Sequence, residues 1–303
     1  MQRRYILAVA AVVALALMLT GSWLLRGNAD AGSRGVDPPS RVPTAVTPTG
    51  SVSANGAEAA RQLAAHFDLE LDQAVPDGNA SEVIAELAPL AEAGDAIAAR
   101  RLYLKLRECK LANEDNLSAR YEPSSVSPEL VSESGLTNEQ FLARFERDRL
   151  AGIEHTLVGC RGLPATVDAD MRKWLTQGAM AGDIAAGLLY AADSRTILGT
   201  TSDMIRDPGA TIAYKRNAMR FVGTAAEAGV PEAMLQLSGA YENGILAGRD
   251  PVMAYAWRAA ASRDSPDPLA AKILAIRRKG LSASQLADAQ ARADAIYARC
   301  CRR

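Results

Sequence analysis

Four cysteines, two histidines and thirty-five carboxylates are the side chains of this sequence with the reach to do more than pack. Their spacing limits that chemistry. Cys109, Cys160, Cys300 and Cys301 form no C-x-x-C, and adjacent thiolates chelate one tetrahedral ion poorly, so no metal centre is expected. An even cysteine count in an exported chain points to disulfides instead, with buried or free thiols as the alternative. A bond between neighbours Cys300 and Cys301 closes a strained ring and is disfavoured as a structural link. Were it to form, it would leave Cys109 and Cys160 to each other. These two close the expected helices "YLKLRECK" and "IEHTLVGC" on the same side of an insertion, so Cys109–Cys160 is the expected pair. The bond would close a loop of about fifty residues and contribute about 4 kcal/mol by the chain-entropy argument. Pairing of Cys109 with Cys300 or Cys301 is the competing framework.

Catalytic chemistry finds little support. His66 in "RQLAAHFDLEL" and His155 in "LAGIEHTLVG" read as packed or surface helix residues, not as bases. The chain lacks G-x-S-x-G, a phosphate-binding glycine loop and H-E-x-x-H. No catalytic residue, cofactor or metal ligand is therefore assigned. The run "ERDR" at Glu146 to Arg149 reads as a solvated helix face. The C-terminal stretch holds Lys272, Arg277, Arg278, Lys279, Arg292, Arg299, Arg302 and Arg303 against Asp288 and Asp294. It reads as a solvated last helix with cations near its end, or as a contact for anionic lipid or an acidic partner.

The elements that must position these residues are helical. The chain is 303 residues long, about half hydrophobic and 5% aromatic, with a formal charge of −1. A sizeable core is possible, and nothing in the charge or ring content favours nucleic acid. Alanine is abundant and β-branched residues are sparse beyond the N-terminus, which favours helix. Residues 1–25 hold "MQRR" and then an apolar run from Tyr5 to Leu25, long enough for a membrane anchor with Arg3 and Arg4 in the cytoplasm. A cleaved signal peptide ending near Ala29-Asp30-Ala31 is the alternative. Ser22 stands where a lipobox needs cysteine, which excludes lipidation there. Either reading exports the rest, in a bacterium to the periplasm. Residues 26–56 are a Pro/Gly/Ser/Thr-rich linker. Residues 57–303 form a helical domain with insertions near 110–140 and 191–210.

Within that domain one device recurs. "LAEAGDAIAARRLY", "AMAGDIAAGLLYAA" and "AAEAGVPEAMLQLSGAY" each place a glycine (Gly94, Gly182, Gly229) in a short break, then a helix reaching Tyr103, Tyr190 or Tyr241. Val83, Ile84, Leu87 and Leu90 make one stripe before the first break, and Ile97, Arg101, Leu102 and Leu106 one face after it. A degenerate copy puts Arg263 at the glycine place, about 34 residues after Gly229, a period typical of stacked two-helix repeats. In "GAYENGILAGRDPVMAYAWRAAA", Gly244 and Gly248 would let the chain leave the helix with positive φ, Asp250 would cap the next, and Pro251 would sit at its first position.

The stretch from Ala225 to Ala261 resembles the Sel-one-like repeat family, relatives of the tetratricopeptide repeat. The pattern falls on Leu237, Gly239 (one place late), Tyr241, Gly244, Asp250, Ala254, Trp257, Ala260 and Ala261. Arg263 for glycine and a longer loop at Ile245 to Arg249 depart from it. The resemblance implies an all-α, α-solenoid-like, irregular stack of antiparallel helical hairpins, here preceded by one N-terminal membrane helix. It also implies a scaffold role, often at the bacterial envelope. The expected function is a membrane-tethered periplasmic scaffold, not an enzyme, for a protein or peptide partner of the cell envelope. An envelope hydrolase acting on cell wall is the alternative. Alanine faces must turn inward, which leaves Glu232, Gln236, Glu242, Asn243, Tyr255 and Arg258 as the expected exposed, partner-binding residues.

Overall fold

The structure, a computed structural model, describes residues 68, 72–121, 131–132, 134–163, 166–264 and 268–301. The expected anchor, the linker and His66 lie outside these residues. Among the described residues no helix is long and apolar enough to cross a membrane. The longest, Ala96–Tyr121, carries arginine, lysine and glutamate along its length. The single-pass inner-membrane placement, with the bulk of the chain in the periplasm, is corrected accordingly: no described element supports the anchor on which it rested.

All regular structure among the described residues is helical. In chain order the helices are α1 (Ala80–Glu92), α2 (Ala96–Tyr121), α3 (Asn138–Gly159), α4 (Val167–Met180), α5 (Ile184–Ala192), α6 (Ser194–Leu198), α7 (Thr201–Arg206), α8 (Pro208–Glu227), α9 (Pro231–Asn243), α10 (Pro251–Ala261), α11 (Pro268–Arg278) and α12 (Ala283–Cys300).

Three of the connections are copies of one turn. Gly94, Gly182 and Gly229 sit at φ +101°, +93° and +97°, a region that only glycine enters without strain. In each turn the glycine amide donates to the carbonyl three residues back (Ala91, Ala179, Ala226). The following amide donates five back, to Leu90, Gly178 or Ala225. This double closure satisfies carbonyls that a helix end leaves open. The next helix then starts at once. Asp95 accepts from the amides of Ile97 and Ala98, and Asp183 from that of Ala186, while α9 opens on Pro231. Connections this short force neighbouring helices to fold back on each other.

The result is a row. α1 packs on α2, α2 on α4, α4 on α5, α5 on α8, α8 on α9, α9 on α10 and α10 on α12. A helix between two neighbours buries two faces, which explains why α2 departs from its expected single face. Ala98, Ala99, Leu102, Tyr103 and Leu106 are buried, whereas Ile97 is exposed and Arg101 faces solvent. Alanine supplies much of each contact, and larger side chains such as Tyr103, Leu175, Met234 and Trp257 fill the space between. Trp257 is only 5% exposed. In the loop between α9 and α10, Gly244 takes the left-handed conformation but Gly248 does not. Asp250 accepts from the Met253 amide, and its own amide donates to the Tyr241 carbonyl, which closes the loop.

Both insertions contain helix. α2 runs on to Tyr121, so Cys109 lies within a helix and not at its end; "LANEDNLSARY" contains no glycine or proline to stop it. α3 packs against α2 alone among its principal contacts and has no buried residue up to Gly159. It is tied down at its end, where the Cys109–Cys160 disulfide spans Cα atoms 5.5 Å apart and packs on Ala80 and Leu163. α6 and α7 occupy the second insertion. The vicinal pair Cys300–Cys301 is also bonded, against expectation. Cys301 lies beyond the last helical residue at φ −124°, so its backbone has left the helix and the two side chains converge.

Candidate functional site

The six expected binding residues do not form one exposed surface. Tyr255 is buried in the core, and Arg258 and Glu232 are half-buried. Gln236 turns toward the stack, where its side-chain amide donates to the Leu188 carbonyl of α5 at 3.3 Å. Glu242 is exposed but held in an ion pair with Arg277. Only Asn243, the last residue of α9, is both exposed and without a side-chain hydrogen bond or ion pair among the described residues. Tyr255 lies on the core side because α10 is covered by α9 and by α12, which leaves it little free face.

A latch stands where that surface was expected. Ser238 is fully buried in α9, and its hydroxyl donates to the Ala254 carbonyl of α10 at 2.7 Å. Arg277 reaches in from α11, donates to the Ser238 hydroxyl and pairs with Glu242. Its guanidinium thus ties three helices. In the sequence Arg277 was one cation among several, and nothing local marked it as the one that turns inward.

A second polar cluster binds the N-terminal half. Arg100, buried in α2, pairs with Asp72 at 3.1 Å and with Asp183 at 3.2 Å. Asp183 is also the cap of α5. Burial raises its carboxyl above the usual carboxylate range, while Arg100 and the Ala186 amide pull it back down. Nearby, the Tyr103 hydroxyl donates to Asp193 at 2.7 Å, and Asp193 also accepts from the Thr196 amide and hydroxyl. Burial, and then the Asp193 charge, hold the Tyr103 phenol far above its ordinary value. Apart from the Arg100 Nε, which is buried without a hydrogen-bond partner, these groups engage one another inside the stack. They hold helices together.

Open space occurs where α2 and α3 diverge. A cleft of about 320 Å³ is lined by Val75, Leu104, Leu111, Ala112 and Ile153, with Arg107, Glu108 and Asp115 at its polar side. Glu108 is engaged by Lys105 at 2.8 Å. Arg107 and Asp115 make no ion pair among the described residues, so one cation and one anion remain for a visitor. Leu111 is 41% exposed at its edge. The cleft walls are fixed by the disulfide, since Cys109 lies between Glu108 and Leu111 on one wall and Cys160 ends the helix that supplies the other. Its apolar floor and polar edge suit a bulky side chain with peptide groups beside it. His155, also on α3, is exposed and does not line it. Sequence periodicity missed the cleft, because it needs the α2–α3 pairing and the continuation of α2 past Cys109. Among the described residues no cluster of His, Cys, Asp and Glu has the arrangement of a metal site.

No protein-family profile matches the chain, and no curated protein does. Among solved structures, the chain is similar to a protective antigen present in uropathogenic Escherichia coli strains that displays an SLR fold. The two are 20% identical with a TM-score of 0.36, and the alignment covers 70% of this chain and 48% of the antigen. The chain thus spans about half the length of that structure. The helical-hairpin architecture rests on the helices themselves and not on this likeness.

Proposed function

We propose that this protein is a non-catalytic helical-repeat scaffold, with Sel-one-like units, that binds a peptide segment of a partner protein in the cleft between α2 and α3. The observation that carries this reading is the cleft itself. It sets an apolar floor beside the charges of Arg107 and Asp115, which form no ion pair among the described residues, and a covalent bond fixes its walls. A rigid groove binds a flexible peptide with less ordering cost on the protein's side. The polar networks around Arg100, Tyr103 and Ser238 support the same reading, since each is consumed in joining helices.

Selection of random peptides displayed on phage against the purified protein tests this. The selection is repeated on Leu111→Glu, which puts a charge at the edge of the cleft where an apolar contact is needed. Enriched peptides should carry a large apolar residue and should lose about tenfold or more in affinity on Leu111→Glu. Failure to enrich any sequence, or enrichment indifferent to Leu111→Glu, would contradict the reading. Circular dichroism of the variant confirms that the stack is intact.

A further inference from the structure

α11 presents a second surface of different chemistry. Its inner face is committed: Ala270 is buried, Ile273 and Leu274 are half-buried, and Arg277 is inserted into the latch with Ser238 and Glu242. Its outer face is exposed. Leu269 and Ile276 are 54% and 68% exposed, and Lys272 and Lys279 are exposed beside them. The four positions follow one another by three, four and three residues, which sets them along one side of the helix and its final turn. The amide of Lys279 still donates to the Ile276 carbonyl, so the stripe is continuous to its end.

The charge on this element is of one sign. From Pro268 to Ser282 there is no aspartate or glutamate, and there are four cations. Arg277 is matched by Glu242. Lys272, Arg278 and Lys279 have no ion-pair partner among the described residues. Elsewhere on the molecule cations are commonly paired, as in Lys110–Asp168, Lys173–Glu92 and Arg263–Asp294.

We propose that the outer face of α11 docks an acidic amphipathic peptide segment of a partner protein. The lysines call for carboxylates, and Leu269 and Ile276 call for apolar side chains at matching helical spacing. A simple polyanion would leave the apolar pair uncovered, and a wholly apolar partner would have to desolvate the lysines without compensation. An anionic lipid surface fits less well. A helix lying in a bilayer interface buries a broad apolar face, whereas the inner face of α11 is already packed on α10 and only a narrow apolar stripe is exposed. This surface rests on the scaffold reading but uses none of the residues of the α2–α3 cleft.

The test uses the purified protein and a fluorescein-labelled synthetic helix with leucines spaced by three and four among glutamates, of net charge about −6. Fluorescence anisotropy is expected to show saturable binding that weakens steeply between low and high sodium chloride. Lys272→Glu/Lys279→Glu should weaken it about tenfold or more, and Ile276→Ser should weaken it severalfold. Leu111→Glu should leave it unchanged, which separates this surface from the cleft. Both α11 variants alter exposed side chains and should melt as the parent protein does. The proposal is overturned if the acidic helix does not bind, or if a version with lysine for glutamate binds equally. It is overturned as well if neither α11 variant weakens binding, or if phosphatidylglycerol vesicles are bound while the peptide is not. Loss of peptide binding on Leu111→Glu with none on the α11 variants would overturn this surface and leave the cleft standing.

Discussion

Alanine in place of Gly229 should destabilise the protein more than the same change at Gly94 or Gly182, although the three glycines serve one kind of turn. All three have nearly the same positive φ, so each substitution forces a Cβ into a strained conformation at about 1–2 kcal/mol. At Gly94 and Gly182 the added carbon meets nothing within 4 Å. At Gly229 it would lie 3.1 Å from the carbonyl oxygen of Cys300. That oxygen is backbone, at the end of α12, and it cannot rotate away like a side chain. Overpacking against such an atom adds a further 1 kcal/mol or so, giving about 2–3 kcal/mol in all. Urea unfolding followed by circular dichroism, with the slope checked for constancy, measures each difference. Equal losses at all three glycines would refute the placement of the α12 terminus against the α8–α9 turn. Losses near zero at all three would refute the left-handed turns themselves.

Trp257→Ala should cost about 3–5 kcal/mol, because a large buried side chain is removed where α10 meets its neighbours; calorimetric melting measures it. Replacing Cys109 and Cys160 by serine together should cost up to about 4 kcal/mol for a crosslink spanning 51 positions, and amide exchange should speed first in α3, which buries no residue of its own. The protein should lose stability as pH rises above about 10, where tyrosines of the unfolded chain ionise. Burial keeps the Tyr103 and Tyr214 phenols protonated there in the folded state, so the unfolded state is favoured increasingly through the alkaline range. Absorbance titration at the tyrosinate band should show these phenols ionising only with unfolding, and Tyr103→Phe should reduce the alkaline loss.

The repeat was legible in the sequence because it is written in local chemistry. Gly94, Gly182 and Gly229, the cap at Asp250, and Pro251 at a helix start each act within a few residues, and each does what its type requires. Burial direction was less legible. Tyr255 and Gln236 look like surface residues on a single hairpin, but the following and preceding helices cover them. Arg100 would be placed outside by any hydropathy rule, yet Asp72 and Asp183 make its burial possible from distant positions. The cleft was not legible, since it depends on how far α2 continues and on where the disulfide holds α3. Ring strain argues against the vicinal Cys300–Cys301 bond, but at the end of α12 the backbone departs from helix and allows it.

Backbone amide exchange of the protein, alone and saturated with a peptide selected on it, tests the scaffold reading most directly. Occupation of the cleft should slow exchange in the walls, over the part of α2 carrying Leu104 to Asp115 and the part of α3 carrying Ile153 and Thr156. The rest of the row, from α4 through α10, should exchange as before. No slowing anywhere, or slowing confined to helices away from α2 and α3, would contradict a peptide-binding cleft at this position.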